Sequence, residues 1–307
     1  MMHPSPRRTR AQRKQLLRTE DAGSSPNPID LTSRSKTNGP AAPAPPSSAE
    51  PRLLESPTST PISAIASPLP GTLPNLTRKD RTLLLHKQRL LLASPLPPSK
   101  APLQAALVFA QAEAGTAVSI HPSGLLLTCA HCIAETSSEL DLAKTHYLLF
   151  ASGTVVAAKC IDWDGKRDLA LLRITAAQRG AAGELFPSME IAEEAPKVGT
   201  KLLCVGHPVS EDLECEKEGV ATGYDVLHVS KGAFRGYADG QDLHDNEDIG
   251  ALMHDCWTYW GHSGAPLVEV KTGKLIGVHS SWDDETGMRR GVGIEAIREF
   301  VKGKGIL

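Results

Sequence analysis

Towards its C-terminal end the chain reads Trp260-Gly261-His262-Ser263-Gly264-Ala265-Pro266-Leu267. A serine stands among glycines, and a proline then opens an apolar run. Glycine adopts positive φ at little cost, so Gly261 and Gly264 permit a tight turn at Ser263. Such a turn can aim the N–H groups of Gly261 and Ser263 at one spot. A serine hydroxyl is a weak nucleophile and needs an imidazole to take its proton. That imidazole needs a carboxylate on its other nitrogen, to fix the tautomer and stabilise the cation that forms.

Upstream, both partners stand in a strand-and-turn context. The turn Pro122-Ser123-Gly124 and an apolar strand lead into Leu127-Thr128-Cys129-Ala130-His131-Cys132. Further on comes Arg167-Asp168-Leu169-Ala170-Leu171-Leu172. Read singly, each residue has a plain structural role: His131 as a core histidine, Asp168 as a strand-start cap, Ser263 as a turn serine. Read jointly and in this order, they supply a base, an orienter and a nucleophile.

The surrounding texture is β. Short apolar runs at Ala105–Phe109, Leu125–Thr128, Tyr147–Phe150, Val155–Cys160, Leu169–Ile174, Lys201–Val205, Pro266–Val270 and Leu275–His279 are broken by Gly, Pro and Asp. Runs of this length at short intervals argue for an all-β barrel or sandwich. Ile297–Val301 reads as a short closing helix.

Composition divides the 307 residues. All 13 aromatics lie at or after Phe109, and 17 of the 23 prolines lie in residues 1–98. A Pro/Ser-rich stretch without aromatics cannot bury enough apolar surface to offset its ordering entropy, so residues 1–75 are expected to be disordered. Within them, residues 7–18 carry six positive charges and no acid. That pattern is shared by nuclear import signals, nucleic-acid patches, mitochondrial presequences and plain solvated tails. Residues 76–98 read as a docking helix and linker, with Leu83, Leu84, Leu90 and Leu91 on one face. The folded domain is expected over 99–307.

The three motifs together resemble the trypsin-like serine proteases, and within them the intracellular HtrA branch. The family's T-A-A-H-C appears as Thr128 to Cys132, the D-L-A-L-L strand as Asp168 to Leu172, and G-D/N-S-G-G-P-L as Gly261 to Leu267. Asp255 stands where HtrA proteins usually carry an aspartate, and Leu275–Val278 and Gly291–Ile294 resemble the strands beyond the serine. The resemblance implies a chymotrypsin-like fold of two six-stranded antiparallel barrels, at about 104–180 and 198–300, with a short C-terminal helix. It implies a serine endopeptidase with His131, Asp168 and Ser263 as the triad and the N–H groups of Gly261 and Ser263 as the oxyanion hole. Trp257, Tyr259, Ser281, Trp282 and Gly291 are the implied substrate-pocket residues. No acid occupies the pocket-base position near Trp257 to select Arg or Lys, so the resemblance implies small or aliphatic substrate side chains. It also implies no cofactor, no metal and a protein or peptide substrate; because the chain ends soon after the closing helix, the peptide-binding PDZ module that many HtrA proteins carry is expected to be absent.

The chain departs from the family in three places. His262 replaces an Asp or Asn, so it cannot supply the carboxylate that receives a new N-terminus in secreted zymogens. Ala265 replaces a glycine, which negative φ would tolerate. Cys132 lacks the usual disulfide partner, whose position falls near Gly115–Ala117. His262 and Ala265 motivate an alternative, a non-catalytic protease-like scaffold for protein interactions. Cys129-x-x-Cys132 lacks a second pair for zinc, and His207, His254 and His279 lack metal-site spacing. Irregular cysteine spacing and the lack of an apolar leader suggest a reducing compartment, cytoplasm or nucleus, with the mitochondrion as the alternative. No run is long enough to cross a membrane as a helix, and near-balanced charge argues against nucleic acid as the main partner.

Overall fold

The apolar runs at 106–177 close into one barrel and those at 201–293 into another. The computed structural model describes residues 76–93, 103–110, 115–178, 185–212, 215, 217, 219–302 and 304. These lie within one unit, residues 57–307. The expectations for residues 1–75 fall outside the described residues, and helix α1, Arg78–Ala93, is the first described element.

The first barrel comprises β1 (Ala106–Phe109), β2 (Thr116–His121), β3 (Leu125–Thr128), β4 (Thr145–Phe150), β5 (Val155–Asp164) and β6 (Leu169–Ala177). The second comprises β7 (Lys201–Gly206), β8 (His228–Tyr237), β9 (Leu252–His254), β10 (Pro266–Glu269), β11 (Leu275–Trp282) and β12 (Arg289–Gly293). Their orders are β1-β2-β3-β6-β5-β4 and β10-β11-β12-β9-β8-β7, each closed, and every pairing within them is antiparallel. The two six-stranded barrels expected from the sequence are therefore present, and so is the short C-terminal helix.

Alternation along the strands builds the core. In β3, Leu126 joins Leu107, Leu148, Phe150 and Leu172 in one cluster. Its neighbours Leu125 and Leu127 join Leu169, Leu171, Leu202, Val205 and Leu267, a cluster that draws on both barrels. Both strand faces are covered, which is why these segments read as continuous apolar runs rather than alternating ones.

A third cluster sits beneath α1, where Leu84 and Leu91 meet Val108, Leu149 and Val155. The buried stripe of α1 is Leu84, Lys87, Gln88 and Leu91, so Leu90 faces solvent. This corrects the four-leucine face read from the sequence. The two polar residues turn inward because the barrel offers them partners: Lys87 Nζ donates to Phe109 O at 2.7 Å, and Gln88 Nε2 donates to Gly153 O at 2.9 Å and Gln178 Oε1 at 3.0 Å. Burial lowers the Lys87 ammonium to about 8.

Helix α2 spans Ile294–Val301, three residues longer at its start than the apolar pattern suggested. Gly293 caps it in an extended conformation, and Ile294, Ile297 and Val301 are buried at helical spacing. Among the described residues, no helix is long and apolar enough to cross a membrane.

Candidate active site

His131, Asp168 and Ser263 each lie just outside a strand, after β3, before β6 and before β10 respectively. β3 runs into a single 3₁₀ turn, Ala130–Cys132, which carries His131. Trp163 Nε1 donates to Ala130 O at 3.0 Å and pins that turn. Asp168 immediately precedes β6 and is held in the left-handed region, with φ of +52°. Aspartate tolerates that conformation better than most side chains, but it still stores strain.

The strained backbone puts the Asp168 carboxylate against His131. His131 Nδ1 lies 2.7 Å from Asp168 Oδ1 and 3.0 Å from Oδ2, and the His131 backbone N–H donates to Oδ1 at 3.2 Å. Ser280 Oγ donates to Oδ2 at 2.7 Å. These donors converge on one buried carboxylate and fix the imidazole with Nδ1 towards it. Ser263 Oγ donates to the Ser280 carbonyl at 3.3 Å, so Ser280 touches both Asp168 and Ser263. The sequence reading singled out Ser281 and passed over Ser280.

The serine loop consists of two linked turns. His262 N–H donates to Tyr259 O at 3.0 Å, with Gly261 at φ +95°. Ala265 N–H donates to His262 O at 2.8 Å, with Gly264 at φ +81°. A positive φ at the third position alone is the type II pattern, which calls for glycine there. Gly264 has a further reason to be glycine, since a Cβ would lie 2.1 Å from Thr116 O. Ala265 is outside the positive-φ residues and fully buried, so its methyl is accommodated.

Backbone bonds around the loop are assigned in order. The carbonyls of Trp260, Gly261, His262 and Ser263 accept from Val209 N, Thr116 Oγ1, Ala265 N and Thr116 N. The N–H groups of His262 and Gly264 donate to Tyr259 O and His279 O. The alternate N–H groups, those of Gly261 and Ser263, are the pair selected from the sequence as oxyanion donors.

His262 is fully buried, its ring beside those of His228, Trp257 and His279. Burial, reinforced by His228, lowers it to about 3, so it is neutral near pH 7. Asp255 accepts hydrogen bonds from Ala233 N and Arg235. Burial alone would raise its carboxyl, but these donors outweigh it and hold it below the usual range.

The expected pocket residues occupy different surroundings. Trp257 and Tyr259 stack at 6.2 Å in an aromatic group with Tyr224 and His228. Trp282 meets Trp260 edge-on at 4.8 Å. Ser281 Oγ accepts from Gly250 N at 3.3 Å, and Gly291 pairs with His279 and Leu252 inside the second barrel. A separate groove of about 540 Å³ lies between Asp162–Arg167 and the α2 end, lined by Trp163, Phe300 and Lys304 among others.

Cys129 Sγ lies within 4.8 Å of ligand atoms of His131 and Asp168, a donor set that suits a soft divalent ion. All three are committed elsewhere: Cys129 to His279 O at 3.4 Å, and the other two to each other. Cys132 is a free thiol, and a Cβ at Gly115 would stand 3.5 Å from its Sγ. The expected disulfide-partner position is thus beside Cys132 and holds a glycine.

Residues 115–278 match the family model of the trypsin-like peptidase domain. No curated protein matches the sequence. Three solved structures are among those similar to this chain. An inactive-form mutant of Rv3671c from M. tuberculosis H37Rv aligns with 68% of this chain and 94% of its own, at 17% identity and a TM-score of 0.47. The serine endoprotease from Yersinia pestis aligns with 69% and 67%, at 19% identity and a TM-score of 0.47. The HtrA-type protease AlgW, with a tripeptide, aligns with 68% and 65%, at 19% identity and a TM-score of 0.49.

Proposed function

The chain belongs to the trypsin-like peptidase family, and from that membership we propose that it is a serine endopeptidase acting on proteins or peptides through an acyl-enzyme. The observation that carries this reading is the bonded set around Asp168: His131 Nδ1 at 2.7 Å, Ser280 Oγ at 2.7 Å, and Ser263 Oγ on the Ser280 carbonyl at 3.3 Å.

In this reading Ser263 Oγ attacks the substrate carbonyl while His131 Nε2 takes the hydroxyl proton. Asp168 keeps the imidazole in the required tautomer and stabilises its cation without being protonated itself. The N–H groups of Gly261 and Ser263 hold the oxyanion, where one lost donor typically costs about 2.7–4 kcal/mol. His131 then protonates the leaving amine. Water, activated by the same imidazole, hydrolyses the ester and restores Ser263. The buried, neutral His262 supports an enzyme without an N-terminal activation switch at that position.

Labelling with a fluorophosphonate probe, followed by mass spectrometry, tests the reading. The wild-type protein should be modified at Ser263, and Ser263→Ala should not react. Folded wild-type protein that resists the probe would favour the alternative, a protease-like scaffold that binds other proteins without cleaving them.

A further inference from the structure

Thr116, at the start of β2 in the first barrel, is fully buried and makes four hydrogen bonds. Its Oγ1 donates to Gly261 O at 3.0 Å and accepts from His207 N–H at 3.0 Å. Its N–H donates to Ser263 O at 2.8 Å, and its carbonyl accepts from Thr128 Oγ1 at 2.7 Å. Three of these bonds cross to the second barrel, and two of them end on the serine loop. Thr128, the fourth partner, ends β3 just before the turn that carries His131.

We propose that Thr116 is the positioning residue of the oxyanion site, its hydroxyl fixing the peptide between Gly261 and His262 so that the neighbouring N–H groups keep their aim. This rests on the serine-endopeptidase reading above. Two peptides of the serine loop are held at both ends. The 261–262 peptide is gripped at both ends, by Thr116 Oγ1 on its carbonyl and Tyr259 O on its N–H. The 263–264 peptide is gripped likewise, by Thr116 N and His279 O. The donors of Gly261 and Ser263 lie on the peptides preceding each of these, so fixing the gripped pair fixes their direction.

Only the hydroxyl grip depends on the side chain. Gly261 has no Cβ to restrict its rotation, so without that grip the 261–262 peptide is the one most able to turn. His207 N–H completes the geometry by occupying an acceptor site of Oγ1, which leaves the hydroxyl proton directed at Gly261 O. His207 is itself held, with Nδ1 2.6 Å from Val226 O.

Labelling kinetics test this with the full chain and the same fluorophosphonate class, whose phosphoryl oxygen would occupy the oxyanion position. Thr116→Val keeps the shape and removes the donor. The maximal labelling rate should fall about tenfold or more, because the misaimed Gly261 and Ser263 N–H groups then hold the developing charge less well, with the half-saturating probe concentration and the final labelled fraction unchanged. Thr116→Ser should recover the rate to within about twofold, because it restores the donor. The pH midpoint of labelling, which reports His131, should be the same in all three. A Val variant as fast as wild type would overturn the proposal, and so would a Ser variant as slow as Val. A reduced labelled fraction at an unchanged rate would make Thr116 a folding residue and also overturn it. If Val does not fold, Thr116→Ala carries the same test; failure of both to fold would likewise assign Thr116 to stability alone. Unreactive wild-type protein would instead contradict the peptidase reading, so the two failures are distinct.

Discussion

Ser280 bonds to Asp168 through its side chain, Oγ to Oδ2 at 2.7 Å, while its own carbonyl accepts from Ser263 Oγ. One residue of β11, 112 positions beyond Asp168, thus links Asp168 to Ser263. A hydrogen bond to a charged group is worth about 1.5–3 kcal/mol. Ser280→Ala should therefore lower kcat/KM by about 10- to 100-fold in a peptide-hydrolysis assay, with the labelled residue still Ser263.

Asp168 combines the carboxylate proposed to orient His131 with a left-handed backbone at φ +52°. Asparagine tolerates that conformation, so Asp168→Asn should melt close to wild type. It should nevertheless lose about 10⁴-fold in kcat, because an amide cannot stabilise the imidazolium and favours the wrong tautomer. Asp168→Ala adds backbone strain of about 1–2 kcal/mol and should also lower the melting temperature. Calorimetry and kinetics on the two variants separate the effects.

Gly264 and Ala265 are adjacent but should respond unequally to exchange. Gly264→Ala meets both a positive φ and the carbonyl of Thr116, and should cost about 2–5 kcal/mol by denaturant unfolding. Ala265→Gly restores the family's usual residue, should cost about 1 kcal/mol in backbone entropy, and should leave kcat within about twofold of wild type.

Acid should destabilise the fold through buried histidines. Burial, aided by His228 and Arg289 respectively, holds His262 and His254 at about 3; burial and Lys144 hold His146 at about 4. Their ordinary value is 6.5, so the unfolded chain takes up protons first. Stability is complete above about 6.5 and falls as pH drops towards these lowered values. Melting temperatures should decline from pH 6.5 to 4, and His262→Asn should reduce the slope by up to about 1.4 kcal/mol per pH unit.

Two leucines of α1 should differ although the sequence places both on one face. Leu84 is fully buried against the first barrel, and Leu90 is 42% exposed. Leu84→Ala should cost about 2–5 kcal/mol and Leu90→Ala within about 0.5 kcal/mol.

The parts of the fold legible in the sequence are those whose signal is local. β3, β6, β7 and β11 are apolar runs because both their faces are covered, and Ser263 announces its turn through Gly261 and Gly264. β8 escaped notice because solvent faces part of it: in His228–Tyr237 polar residues and glycines interrupt the apolar ones. β9 is three residues long, below any periodic signal. The stripe on α1 was misread because Lys87 and Gln88 count as polar in a pattern, whereas the barrel supplies them with carbonyl and amide partners. Ser280 and Thr116 were invisible for a related reason. Nothing near them in sequence marks them, and their partners lie 112 and 145 residues away.

The acyl-enzyme is the centre of the account, and pre-steady-state hydrolysis of an activated ester tests it most directly. The wild-type protein should release a burst of about one equivalent of leaving group per molecule before a slower steady rate, and Ser263→Ala should show neither phase. A burst that survives in Ser263→Ala, or turnover by folded wild type that depends on neither Ser263 nor His131, would contradict it.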